Sequence, residues 1–433
     1  MQRERTRYSM RLTGIIAEYN PFHSGHEFHI KKAKELTDSG FCVVVMSGDF
    51  VQRGEPALYS KYLRTRMALC CGADLVVELP SAFAVSSAED FAACGVSLLT
   101  ALGAVDTICF GSEDGQVRPI LTAASLLAEE SPAFSGLLDQ GLRQGLSWPQ
   151  ARNHALIQMA GTVPDFPLQP ESLDRLLGSP NNLLGIEYCK AIIRSNSHLK
   201  PVTIKRMGQG YHDRELDQGQ ASASALRRLL TEGNAHTDPL SSLSSRLSAH
   251  VPPAVLSMYG TEPAVGVNDL SGLLNYTLLT MTSQEIDFSS YADVSKEMAS
   301  RLRTRLLEYE NWEGRIRQLK TRQYTYTRIS RALLHILLGM TDQDMAQYKS
   351  AGYAPYARIL GFKKDSAGLL SMIKKQSSIP LITKTADAPR ILTGTSLSML
   401  KKDIYATHIR QAILAHAYGY RCRNEYTQPV CII

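Results

Sequence analysis

No stretch of the sequence approaches the roughly 18–20 uninterrupted apolar residues that a membrane-spanning helix requires. The first residues, MQRERTRYSMR, also lack the apolar core of a secretory leader. The expectation is a soluble, cytoplasmic protein with no membrane partner. Cys-x-x-Cys pairs are missing as well: the eight cysteines (Cys42, Cys70, Cys71, Cys94, Cys109, Cys189, Cys422 and Cys431) are scattered, mostly through apolar segments. That spacing gives no zinc ligand set and reads as reduced, buried thiols. Internal repeats and low-complexity tracts are absent. The chain does have length: 433 residues, at about 150 per domain, allow two or three domains. Residues 1–9 are Arg-rich and read as a disordered extension, with Met10 an alternative start.

Charge is unevenly placed. The formal total is +6, yet residues 301–433 carry 22 Lys and Arg against 9 Asp and Glu, so the earlier part is net acidic. An asymmetry of this kind suggests one acidic partner, such as nucleic acid, docking on the C-terminal third. A set of solvated helix faces is the alternative.

Short β-branched runs bounded by turn residues recur at 13–19, 42–48, 74–80, 105–112 and 201–207. Helical patterns lie between them near 26–38, 60–72, 88–102 and 182–195, and 115–178 reads as helical excursions. Apolar strands separated by helices demand a parallel sheet covered on both faces. The expected fold is α/β: a Rossmann-like, parallel-sheet domain over 10–230, a Ser- and Pro-rich linker over 231–255, and a mainly helical, basic domain over 256–433. Within the last, Leu302, Leu306, Tyr309, Ile316 and Leu319 recur at helical spacing, and a small α/β element is possible near 356–362 and 380–385.

The segment AEYNPFHSGHEFH (17–29) puts three histidines where the first strand gives way to the first helix. In open parallel sheets ligands bind at this carboxyl edge, and a helix N-terminus offers N–H groups to phosphate. His23, His26 and His29 add imidazole donors. As metal ligands they are poorly spaced, with no acidic partner at a helical offset, so no metal site is expected. A phosphate cradle is the reading carried forward; a solvated capping cluster is its rival.

His-x-Gly-His in this position resembles the motif shared by nucleotidyltransferases and class I aminoacyl-tRNA synthetases. Further strings narrow the likeness: GIIAEYNPFHSGHEFHI, VVMSGDFVQRGEPALYSKYLRTRMAL, GADLVVELP, FGSEDG, SPNNLLGIEYCKAI, KRMGQGYHD and ASASALR occur in order, followed by TYTRISRALLHILL, ARILGFKK and NEYTQPV. Together they resemble the tRNA(Met) cytidine acetate ligase family over nearly the whole chain from Met10. The resemblance implies a ligase that activates acetate with ATP, by default accompanied by Mg2+, releases pyrophosphate, and passes the acetyl group to the wobble cytidine of elongator tRNA(Met) as N4-acetylcytidine. Acetyl-CoA is not implied, and no Gly-x-Gly-x-x-Gly loop is present to bind it. An adenylyltransferase of a small phosphorylated metabolite, or an inactive RNA-binding relative, are the alternatives.

Carried over by position, the ATP-binding segment falls on Ile16, Ala17, Glu18, Tyr19, Asn20, Pro21, Phe22, His23, Ser24, Gly25, His26 and His29. His23 and His26 would be the catalytic phosphate contacts, and Gly25 would allow close approach. Gly111, Asn182, Arg206, Ser222 and Ser224 complete the implied nucleotide contacts, with an ordinary turn glycine and plain helix caps as the rival readings of Gly111, Asn182 and the serine pair. Lys205 reads as the surface neighbour of Arg206. Asp49, Arg53 and Lys61 are candidates for closing over pyrophosphate or acetate. Glu18 and Asp74 stand where a carboxylate needs a partner. In the basic third, Arg322, Arg328, Lys363 and Lys364 are the expected RNA contacts, while Tyr309 and Trp312 read as core.

Overall fold

A computed structural model of the chain describes residues 11–129, 131–161, 169–206, 223–232 and 245–433. Its strands are β1 (Leu12–Ala17), β2 (Phe41–Ser47), the short hairpin arms β3 (Phe50–Val51) and β4 (Glu55–Pro56), β5 (Leu75–Leu79), β6 (Thr107–Ser112), β7 (Lys200–Lys205), β8 (Ala357–Phe362), β9 (Leu381–Ile382) and β10 (Cys431–Ile432). The five apolar runs are β1, β2, β5, β6 and β7, all mutually parallel in the order β5-β2-β1-β6-β7. The chain therefore runs outward from β1 through β2 to β5, then returns to the far side of β1 for β6 and β7. The order reverses between β1 and β6, which opens a crevice beyond their carboxyl ends.

The α/β class follows from how β2 is buried. Val43 and Val45 join the core on one face of the sheet, while Cys42, Val44 and Met46 join that on the other, and none is exposed. Two buried faces require helices on both sides. The expected helices are present as Ser24–Leu36, Lys61–Cys70, Ala88–Ala101 and Pro180–Arg194. Ser60 and Ser87 start the second and third of these, their side chains accepting from the N–H groups of Leu63 (3.3 Å) and Asp90 (3.2 Å). The 115–178 excursion consists of four helices, Val117–Glu129, Pro132–Arg143, Trp148–Ala160 and Pro170–Gly178.

Two features differ from the sequence reading. The segments near 356–362 and 380–385 are not an element of their own: β8 lies antiparallel to β5, with β9 and β10 parallel to β8, so the C-terminal part extends the first sheet. β5 is apolar on both faces and would otherwise be an uncovered edge. The helical register through Leu302 and Leu319 is also interrupted. Helices Lys296–Thr304 and Trp312–Leu319 are separate, Asn311 caps the second, and Tyr309 between them is 63% exposed. Trp312 is core, its indole N–H donating to Ser330 Oγ at 2.9 Å. Residues 1–9 and most of the linker (233–244) lie outside the described residues.

Candidate active site

A cavity of about 300 Å³ lies at the crevice between β1 and β6. The predicted residues Ile16, Ala17, Glu18, Tyr19, Asn20, His23, Gly25, His26, His29, Gly111, Arg206 and Ser224 all line it. Pro21, Phe22 and Ser24 lie behind that wall, and Ser222 is outside the described residues.

The turn after β1 is set by distant residues. Tyr19 adopts a left-handed backbone (φ 50°), which is unfavourable for a bulky side chain by about 1–3 kcal/mol. Its buried ring packs edge-on against Phe22 and His26, at centroid distances of 4.9 and 4.8 Å. Carbonyls on either side are held by cations: Arg64 Nη1 donates to Glu18 O (2.6 Å), and Arg227 Nη1 to Asn20 O (2.7 Å). Tyr259 Oη donates to Phe22 O, and Ser24 N–H donates to His250 O at 2.9 Å. The Asn20 side-chain oxygen accepts from Leu58 N–H (2.9 Å). The turn is over-determined by chain segments 40 to 240 residues away.

The first helix does not present free amides to a ligand, contrary to the sequence reading. His23 is its N-cap: His23 Nδ1 accepts from Gly25 N–H (3.0 Å), and the N–H groups of His26 and Glu27 donate to His23 O (2.8 and 3.3 Å). His26 Nδ1 in turn accepts from His23 N–H (3.2 Å), completing a capping box built from imidazoles. Gly25 has its own local reason, because a Cβ there would press on the His23 ring, 2.8 Å from Cε1. With both Nδ1 atoms accepting, each neutral ring carries its proton on Nε2. The two rings stack at 3.8 Å. The cavity is thus offered paired imidazole N–H donors in place of backbone amides.

Burial, then the positive field of Arg206, keeps these rings neutral. His23 is lowered to about 3 and His29 to about 4, the first also by Arg227 and His250; His26 is lowered well below its usual value by burial and then by His23. The unfolded chain therefore binds more protons than the folded one between those values and about 6.5. The stability contributed is complete above pH 6.5 and is lost as pH falls. Buried His335 acts in the same direction, whereas Asp403, raised by burial to about 6, and Glu55 and Asp342, also raised by burial, oppose it. Melting temperature should be level between about pH 7 and 8, below the range in which the buried thiols titrate, and fall between pH 6.5 and 5. Each neutral histidine contributes up to about 1.4 kcal/mol per pH unit. A melting temperature that rises on acidification through this window would mean that the rings are charged.

The opposite wall supplies cations. Arg206 follows β7 and donates from Nη1 to Asn181 Oδ1 (3.2 Å), and Lys205 lines the cavity beside it instead of facing away. Gly111 on β6 leaves room for this arrangement: a Cβ there would lie 3.1 Å from Arg206 Cγ. Asn182 is buried and does not reach the cavity; Asn181 does. Asn182 Oδ1 accepts from Glu113 N–H (3.0 Å), while the Glu113 carboxylate accepts from Asn182 N–H (3.1 Å) and Asn181 Nδ2 (2.8 Å). This closed set fixes Asn181 and through it Arg206. Arg227, in the helix Ala223–Glu232, donates to Ser224 Oγ at 2.9 Å. Phe28, Phe91, Phe110, Leu184 and Tyr188 add an apolar wall that carries no motif in the sequence.

Several expected residues lie elsewhere. Lys61 and Asp49 are buried away from the cavity: Lys61 Nζ pairs with Glu78 (2.8 Å) and Glu425 (2.7 Å), and Asp49 Oδ1 accepts from Lys61 N–H (3.1 Å). Asp74 stands at the amino end of β5, accepting from Cys42 N–H and Lys34 Nζ, both at 2.8 Å, so its partners are structural. Arg53 does line the cavity, and Glu18 Oε1 accepts from Gln52 N–H (2.9 Å). Arg322 borders a surface hollow, Arg328 lies over the Tyr324 ring, and Lys363 and Lys364 sit beyond β8 beside Asp74. Among the described residues, no three His, Cys, Asp or Glu side chains form a metal-ligating group, and no helix is long and apolar enough to cross a membrane.

A parallel sheet with imidazole donors and arginines gathered at its topological switch point defines a nucleotidyl transferase, and the family described as HIGH Nucleotidyl Transferase matches residues 10–425. Within that class the chain belongs to the tRNA(Met) cytidine acetate ligase family. A protein of that name from Acetivibrio thermocellus is 35% identical over 429 residues, covering 98% of this chain and all of the relative. One from Clostridium acetobutylicum is 39% identical over 404 residues, covering 92% and 94%. Among solved structures, Thermotoga maritima TmcAL bound with alpha-thio ATP matches with a TM-score of 0.87 at 26% identity, and its apo form with 0.89; each covers 98% of this chain and all of the other.

Proposed function

We propose that the protein is an ATP-dependent ligase that acetylates the N4 amine of the wobble cytidine of elongator tRNA(Met) in the cytoplasm. The observation that carries this reading is the convergence of His23 and His26, as neutral donors, with Arg206 and Arg227 on one cavity at the switch point. Acetate oxygen attacks the α-phosphorus of ATP, the bond to the β-phosphate breaks, and pyrophosphate leaves. The cytidine amine then attacks the acyl carbon of acetyl-adenylate, AMP departs, and the amine loses a proton. Neither step requires a protein nucleophile. The residues hold the phosphates in line and stabilise charge as it develops.

Magnesium would enter with the nucleotide and neutralise phosphate charge. Among the described residues Glu18 is the one carboxylate lining the cavity, which suits an ion held chiefly by phosphates and water. The test is ATP–pyrophosphate exchange without RNA. Exchange is expected to appear on adding acetate, and labelled acetate should then pass to tRNA(Met) with no acetyl-CoA present. Exchange that ignores acetate, with or without tRNA(Met), would overturn the reading.

A further inference from the structure

Resting on the reading of the protein as a ligase that acts on RNA, we infer that the single-stranded loop of the RNA docks on the rim formed by Arg317, Lys320, Arg322 and Arg328 around Tyr326, and that the acceptor base enters the cavity across the hairpin β3–β4 beside Arg53. The first support is charge. These four cations are exposed, lie within twelve residues of one another, and make no ion pair among the described residues. The neighbouring arginines are neutralised locally: Arg301 by Glu297 (2.9 Å), Arg303 by Asp287 (2.8 Å) and Arg305 by Glu308 (3.0 Å). Unneutralised charge is what projects a field toward phosphate.

The second support is connectivity. Lys320, Arg322 and Tyr326 line one open hollow, and Tyr326 begins the helix Tyr326–Leu338. That helix packs directly on the hairpin. Gly54 (φ 78°) touches the backbone of Ser330 and Arg331 so closely that no Cβ fits, and Ser330 Oγ donates to Gly54 O at 2.8 Å. Arg53, one residue away, lines the cavity, while Gln52 N–H is held by Glu18. One short hairpin thus separates the rim from the site of chemistry. A half-buried tyrosine amid phosphate-binding cations matches the stacking platform that unpaired bases use. Lys363 and Lys364 also make no ion pair among the described residues but lack this connection: Lys363 N–H donates to Asp74 O (3.1 Å), at the amino edge of the parallel strands, across the sheet from the cavity.

The test compares Lys320→Glu/Arg322→Glu with Lys363→Glu/Lys364→Glu in the full chain. The first pair should weaken tRNA(Met) binding at least tenfold and make the logarithmic salt dependence shallower by about two, roughly one for each lost phosphate contact. Its RNA-free ATP–pyrophosphate exchange, measured to confirm folding, should stay within twofold of the parent. The second pair should bind RNA like the parent. Tyr326→Ala should lower kcat/KM for acetyl transfer about tenfold, with Tyr326→Phe restoring it. Parent-like RNA binding by the first pair, or its loss in the second, would overturn the placement even where acetate-dependent exchange is normal. A parent protein without such exchange, whose RNA binding still depends on Lys320 and Arg322, would sink the ligase reading and leave the surface standing.

Discussion

Replacing His26 by alanine is expected to lower acetate-dependent ATP–pyrophosphate exchange by about 10²- to 10³-fold, the loss typical of removing one aligned donor to developing charge, or roughly 3–4 kcal/mol. The donor is the Nε2–H that the capping box imposes: His26 Nδ1 is occupied by His23 N–H, and burial keeps the ring neutral. The same substitution breaks half of that box, at about 1 kcal/mol of stability. The two effects separate with His26→Gln, because a glutamine at the third helical position also accepts from the N-cap amide. It should restore the melting temperature and leave exchange low. RNA affinity should be unchanged in both variants, since His26 lies inside the cavity and not on the basic rim. A His26→Gln enzyme with near-parental exchange would mean that the imidazole matters only as a cap.

The periodicity made most of the sheet legible because its strands are buried on both faces, so apolar runs alone mark them, and capping serines mark two of the helix starts. The candidate site was legible wherever its lining comes from one contiguous turn, as at His23, Gly25 and His26. It was illegible where a role depends on a partner far along the chain. Nothing near Asn20 or Phe22 announces that Arg227 and Tyr259 will hold their carbonyls. Asn181 and Asn182 are adjacent and identical in type, and only the helix register, with Glu113 engaged by both, decides which faces the cavity. Phe91 and Tyr188 lie on apolar helices with nothing to distinguish a cavity wall from a core. The C-terminal strands were read as a separate element because strand pairing between residues 75–79 and 357–362 leaves no mark on local pattern.

Lys61 is where the sequence reading and the structure part furthest, and substituting it is expected to reduce stability, not nucleotide binding. Its ammonium lies 2.8 Å from Glu78, 2.7 Å from Glu425 and 2.9 Å from Thr407 Oγ1, and Arg358 pairs with the same carboxylates at 3.0 and 2.6 Å. All four charged groups are buried. Burial acts to raise the Glu425 carboxyl, and Lys61 and then Arg358 outweigh it, holding it at about 2. Lys61→Met would leave two buried carboxylates sharing one guanidinium, a loss of about 3–5 kcal/mol. Chemical denaturation should show it as a lower midpoint, while KM for ATP in the folded fraction stays within twofold. A lysine that closed over pyrophosphate would give the reverse, an intact midpoint and a raised KM. Lys61→Met combined with Glu425→Gln should recover part of the lost stability, because the second change removes the charge that the first left uncompensated. That recovery would be a direct measure of coupling between the segment after β2 and the end of the chain, one of the contacts, beside the pairing of β5 with β8, that make the basic third and the nucleotide-binding sheet one structure.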